Sequence, residues 1–266
     1  MQRINMRIII TFLIVSGLAS TGLAKELLIV RGDGYYPPFE MMMEGKPTGF
    51  HIDIVTSVAA RIGLQAKFMT VPWKRAILLV QNGDADAISY MTKTKERSEF
   101  VYFHENNILS HIENSFFTLK DRDIKIRYTG DFHQLKPYTI GKLAGYSYGS
   151  SFDEISYLMQ FYSASKEDQL IKMLIRKRFD IAIGDRARIS YIAKQLGYEH
   201  MIEFLNPLAS RTSQYLAFSK ALPHQKLAEE FANEMSRFKE SKLFEQLMFK
   251  YGIHQGHMNL KRGTFN

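Results

Sequence analysis

The 266-residue chain contains no cysteine. A disulfide framework, thiol catalysis, cysteine-held metal and a lipid anchor on cysteine are therefore all excluded. Signatures for nucleotides and for nucleophilic catalysis are missing too: there is no P-loop, no GxGxxG and no Ser-His-Asp order. The histidines lack metal-ligand company. His254 and His257 stand near the end with no carboxylate beside them, and His104 and His111 stand alone, so all four read as surface residues. Met41-Met42-Met43 reads as an apolar loop edge. Nothing in the chain calls for a metal or a cofactor.

Long apolar runs are also scarce. The longest, Ile8 to Val15, is interrupted only by Thr11 and falls short of the roughly 20 residues a membrane span needs. Arg3 and Arg7 precede it, and a small-residue stretch ending Gly22-Leu23-Ala24 follows. Residues 1–24 are therefore expected to be a cleavable export signal, with a soluble product starting at Lys25.

What is present is ordinary globular material. Hydrophobic residues make up 45% of the chain and charged ones 23%, with 19 Phe and 14 Tyr, enough to build cores and to exclude disorder. The net charge of +8 falls to +6 without Arg3 and Arg7. Apart from Lys172, Arg176, Lys177 and Arg178, expected on one helix, the cations are scattered. That is the pattern of a solvated surface, so no nucleic-acid partner is expected.

Periodicity predicts an α/β chain. Glu26–Arg31, Ala66–Val71 and the strand opening at Ala87-Ile88 alternate with helices over Ile52–Ile62 and Trp73–Gln81, which implies a parallel βαβ sheet. Extended stretches follow at Ser115–Leu119 and Gln214–Ser219. Between them the pattern restarts: strand 138–143, the glycine-bounded loop Gly145-Tyr146-Ser147-Tyr148-Gly149, a helix over 151–160, a helix over 166–177, strand 179–183, helix 186–196 and strand 201–205. Two amphipathic helices, centred on Leu227–Phe238 and Leu243–Met248, close the pattern, and the tail from Gly256 has none. The reading is a second α/β lobe inserted into the first, with lobe one spanning 25–117 and 217–266 and lobe two 118–216. Ligands of such sheets gather outside the strands' carboxyl ends, which places Asp33–Phe39 and Ser89–Thr92 at the expected mouth. Trp73 is expected in the core of lobe one.

Four stretches together point further: Asp33-Gly34-Tyr35-Tyr36-Pro37-Pro38-Phe39-Glu40, Gly49-Phe50-His51-Ile52-Asp53, Gly83-Asp84-Ala85-Asp86-Ala87-Ile88 and Ala87 to Phe103 with Thr94-Lys95-Glu96-Arg97. In order and spacing they resemble the polar-amino-acid family of bacterial extracellular solute-binding proteins, the periplasmic receptors of ABC importers. That resemblance implies a two-lobed, type II periplasmic-binding-protein fold whose extended crossings form a hinge. It also implies a monomer in the periplasm that captures a small zwitterionic or anionic metabolite, most simply an amino acid, and passes it to an inner-membrane ABC permease. By matched position, Arg97 would clamp the ligand carboxylate. Thr92 would meet carboxylate and ammonium, Asp185 would take the ammonium from lobe two, and Ser147 would give a backbone N–H. Tyr36 would stack on the ligand and Asp33 would reach its side chain, with Ser89 and Tyr90 beside them. Asp53 and Asp86 match structural positions. Two residues depart from the pattern: Tyr90 stands where a small residue is usual, and Lys93 puts a second cation beside Arg97.

Two alternatives share this architecture. One is a periplasmic dehydratase of cyclohexadienyl or prephenate type, which would need a general acid or base in the cleft, with Glu40 and Glu105 the conceivable carboxyls. The other is a receptor that presents its ligand to a membrane sensor.

Overall fold

The computed structural model describes residues 25–122 and 124–253. The expected export signal and the His254/His257 pair lie outside them. The chain opens with β1 (Lys25–Gly32), a small hairpin of β2 (Met41–Met43) and β3 (Lys46–Thr48), and then α1 (Phe50–Arg61), β4 (Leu64–Val71), α2 (Trp73–Asn82) and β5 (Ala87–Thr92). Leu27 and Ile29 face one buried cluster while Leu28 and Val30 face another, so β1 is covered on both sides, as a continuous apolar strand requires. Gly83, left-handed at φ 81°, ends α2.

A one-turn helix, α3 (Arg97–Phe100), and β6 (Val101–Tyr102) lead into the long β7 (Ile108–Leu119). The second α/β unit comprises β8 (Thr139–Leu143), α4 (Ser150–Asp153), β9 (Gln160–Ala164), α5 (Glu167–Ile175), β10 (Ile181–Asp185), α6 (Arg186–Gln195) and β11 (Ile202–Phe204). β12 (Ser210–Ser219) then returns, followed by α7 (Gln225–Lys239) and α8 (Lys242–Tyr251). These last helices bury Phe231, Met235, Phe238 and Phe244 with the α1 residues Phe50, Ile54 and Val55. Each such side chain contributes about 1.5–3 kcal/mol when fully buried.

Apart from the β2–β3 hairpin, the strands form one sheet in the order β4-β1-β5-β12-β7-β10-β8-β9, with β6 paired to β12 and β11 to β7. β1 is parallel to β4 and β5, and β8 is parallel to β9 and β10. Between the two parallel sets lie β7 and β12, antiparallel to each other and to their neighbours. The same three-strand arrangement thus appears twice, joined through a two-stranded ribbon.

Four expectations need correction: His111, read as a surface residue, is buried on β7 with its Nδ1 3.2 Å from Ser213 Oγ, and three others concern local elements. The helix foreseen over 151–160 is the single turn α4 followed by a 3-10 turn at Ser156–Leu158 and then β9. Residues 160–164 pair in parallel with β8 throughout, and that edge pairing overrides the local pattern. The hairpin β2–β3 takes up Met41–Met43, which had read as a loop edge. The cations at 172–178 do not share a helix, because α5 stops at Ile175.

Candidate ligand cleft

A cavity of about 360 Å³ opens where the carboxyl ends of β1, β5, β8 and β10 converge on the ribbon. All eight residues singled out from the sequence line it: Asp33, Tyr36, Ser89, Tyr90, Thr92, Arg97, Ser147 and Asp185.

Arg97 is positioned by the strand end it follows. Its Nη1 donates to Thr92 O at 2.9 Å and its guanidinium lies 5.5 Å from the Trp73 ring centroid. Trp73, expected as core, therefore also forms the cleft wall beneath this cation. No carboxylate is within ion-pair distance of Arg97 among the described residues, although Glu96 and Glu99 are close in sequence. The Thr92 hydroxyl accepts from Gln214 Nε2 at 2.8 Å, which leaves its hydrogen free to donate. Ser89 Oγ is buried without a partner at the same strand end.

Tyr90 owes its place to a bulge. Tyr215 pairs with Met91 and Ala217 with Ile88, so Ser89 and Tyr90 together oppose Leu216. Such an insertion re-aims a side chain, and here it holds Tyr90 at φ 56°. Its ring packs 5.3 Å from Tyr36 and 5.1 Å from His51. Tyr36 is in turn held by Gly34, where an added Cβ would come within 2.2 Å of its ring. A left-handed tyrosine carries about 1–2 kcal/mol of backbone strain. Tyr90→Gly is therefore expected to be about 1 kcal/mol more stable than Tyr90→Ala, the reverse of the usual strand order. Urea denaturation of the pair checks this, and equal midpoints would show that the bulge relaxes without the ring.

Beneath Tyr90 lies a buried polar chain. Arg31 Nε donates to Glu40 Oε2 at 2.9 Å, Glu40 Oε1 meets His51 Nδ1 at 3.3 Å, and His51 Nε2 meets Ser110 Oγ at 2.9 Å. Burial works against the Glu40 charge, but His51 and Arg31 together hold its carboxyl below the ordinary range. Burial holds His51 below its ordinary value.

On the opposite side, Asp185 ends β10 and caps α6. Its Oδ1 accepts from Arg188 N at 2.9 Å and its Oδ2 from Glu113 N at 3.0 Å. Burial pushes its pKa up to about 6, against the pull of those two N–H donors and the Arg188 charge, and with a smaller push from Glu113. The hydroxyl of Ser147 is turned onto Asp153. Asp33 stands beside Tyr36 on the rim.

Lys93 does not supply the second cation of the cleft. It pairs with Glu105 at 3.6 Å and lies off the lining. Arg188 supplies it, with Glu167 and Tyr146 on the same wall, and none of these three stood out in the sequence. Their signal was faint: the loop holding Tyr146 was recognised only for Ser147, and Arg188 sits one helical turn after Asp185. The matched structural positions are occupied as ties. Asp53 accepts from Lys250 and Tyr251, and Asp86 bonds Leu28 N and His224.

Residues 28–254 match the family model of bacterial extracellular solute-binding proteins, family 3, and the chain belongs to that family. Its fold is the two-lobed α/β fold of the type II periplasmic binding proteins. No match was found among the curated proteins. Solved structures with the same fold include an ancestral cationic amino acid solute-binding protein (TM-score 0.69, 22% identity, covering 85% of this chain and 95% of that one). Another is the unliganded, open L-cystine solute receptor of Neisseria gonorrhoeae (TM-score 0.68, 16% identity, 85% and 92% covered). A third is a histidine kinase sensor domain similar to periplasmic binding proteins (TM-score 0.62, 15% identity, 86% and 96% covered). No helix among the described residues is long and apolar enough to cross a membrane.

Proposed function

We propose that the protein is a periplasmic receptor that captures a small amino acid and delivers it to an inner-membrane ABC permease by closing its two lobes, without catalysis. The observation that carries this is the placement of complementary charges on opposite walls of one cavity. Arg97 and the Thr92 hydroxyl face it from the β5 end, and Asp185 faces it from the β10 end. A zwitterion needs a cation with donors for its carboxylate and an acid for its ammonium, because either charge buried unpaired is prohibitive. Tyr36, Tyr90 and Trp73 supply the apolar wall between them. In this reading lobe one is 25–117 with 217–266, lobe two is 118–216, and β7 and β12 form the hinge.

The enzyme reading would draw on Glu40 or Glu105. Glu40 lines the cavity, but its Oε2 is taken by Arg31 and its Oε1 by His51, and its pKa is lowered, which suits it poorly to proton transfer with a ligand. Glu105 faces Lys93 and the Tyr215 hydroxyl instead of the cleft.

Calorimetry on protein purified from the periplasm, against amino acids and small organic acids, tests the proposal. An amino acid that binds should do so more weakly as pH falls through about 6, because its ammonium requires Asp185 ionised. Binding near that pH should release a proton, read as a heat that varies with the buffer. A hit on acids lacking an amino group, flat across this pH range, would remove the ammonium from the assignment. Silence across the panel would remove the amino acid altogether.

A further inference from the structure

Arg188 lines the ligand cavity, yet it is bound like a guest. Its guanidinium carbon lies 5.0 Å from the Tyr36 ring centroid and 5.9 Å from that of Tyr146. Glu167 pairs with its Nη2, and Tyr35 O stands 3.5 Å from the same nitrogen. Two aromatic faces, a carboxylate and a carbonyl are what recognises an alkylguanidinium in water. The residue is 7% exposed, and the groups around it come from different places: the loop after β1, the loop after β8, and α5. One donor is left over, since Arg188 Nε is buried with no acceptor.

We infer that Arg188 is the specificity-determining residue of the cleft: it fills a cation cage made by Tyr36, Tyr146 and Glu167, so that the cleft rejects cationic side chains and takes an amino acid whose side chain ends in an acceptor, best a carboxylate. A ligand guanidinium or ammonium entering this end would have to share Glu167 with a cation already in place. A ligand carboxylate entering the same end would meet the Arg188 charge instead of competing with it. The inference about ligand class rests on the receptor reading above, whereas the cage itself does not.

Chemical rescue of Arg188→Ala in the full chain tests the cage. Methylguanidinium, which has neither carboxylate nor α-amine, should raise the melting temperature of this variant by about 3–5 °C at about 10 mM and leave the parent protein unmoved. Methylammonium should do less, since it cannot fork onto Glu167. If the variant does not fold alone, refolding yield with methylguanidinium against sodium chloride of equal ionic strength becomes the readout. No rescue in either form, or an equal shift in the parent, overturns the cage. L-arginine should bind the Arg188→Ala protein at least ~10-fold more tightly than the parent, and a parent that binds L-arginine or L-lysine as well as the variant overturns the exclusion. A rescued variant whose parent binds no amino acid would leave the cage standing and remove the receptor reading, so the two failures are distinguishable.

Discussion

Arg97→Ala is expected to weaken binding of whichever amino acid the calorimetric screen identifies by ~10²–10³-fold while shifting the melting temperature of the unliganded protein by no more than ~2 °C. The asymmetry follows from what the side chain does before a ligand arrives. It holds the Thr92 carbonyl and lies over Trp73, both modest contacts on a half-exposed group. With a ligand carboxylate enclosed, removing the guanidinium leaves that carboxylate buried and unpaired, a loss of about 3–4 kcal/mol. Arg97→Lys should recover only part of this, since an ammonium cannot pair with both oxygens in the fixed fork of arginine. A loss below ~5-fold would show that the guanidinium is not where the ligand's carboxylate sits.

Glu40→Ala is expected to have the largest effect on stability. Arg31 is 0% exposed and Glu40 2%, so the substitution leaves a buried guanidinium with only Thr70 and the Gly34 carbonyl. Breaking such a pair by removing one partner costs about 3–5 kcal/mol, which for a chain of this size lowers the melting temperature by roughly 10 °C. Differential scanning calorimetry reads it directly, and a drop under ~3 °C would mean the network relaxes or hydrates. Acid should act on the parent in the same sense. Glu40 has its pKa lowered in the fold, so its contribution is present above the ordinary carboxylate range and lost as pH falls through its folded value. His51 has its pKa lowered by burial, so its contribution is present above its ordinary value of 6.5 and fades as pH falls below it. Asp185 runs the other way, because its raised pKa stabilises fully below its unfolded value near 4 and is lost as pH rises through about 6.

Much of the architecture was legible because it rests on local rules. The apolar run of β1, the spacing of Val55, Val58 and Ala59 in α1 and the left-handed Gly83 each announce an element without reference to the rest of the chain. The 151–160 segment departs from its helical pattern because β9 is strand only by virtue of pairing with β8 at the sheet edge, which no local pattern carries. The site divides the same way. Residues at strand ends, such as Thr92 and Asp185, could be placed from the βαβ rule and the matched motifs. Arg188 and Glu167 could not, since their pairing joins the starts of two helices that are brought together only by the packing of α5 against α6. Lys93 is a neighbour of Arg97 in sequence alone. In the fold its side chain turns to Glu105.

The ribbon of β7 and β12 has a mechanical meaning. Any rotation of one half of the molecule against the other must pass through two strands that are hydrogen-bonded to each other from Ser210↔Asn114 to Gln214↔Ser110. Two-stranded ribbons carry larger twists than wide sheets, so in the proposed closure this pair would take up the turn. Its ladder is already interrupted between Gln214 and Tyr215 on one side and between Tyr215 and Ala217 on the other. Those breaks lie beside the Gln214 side chain that holds Thr92. In the proposed closure, the strand that helps hold the cleft wall is thus also the one that would bend.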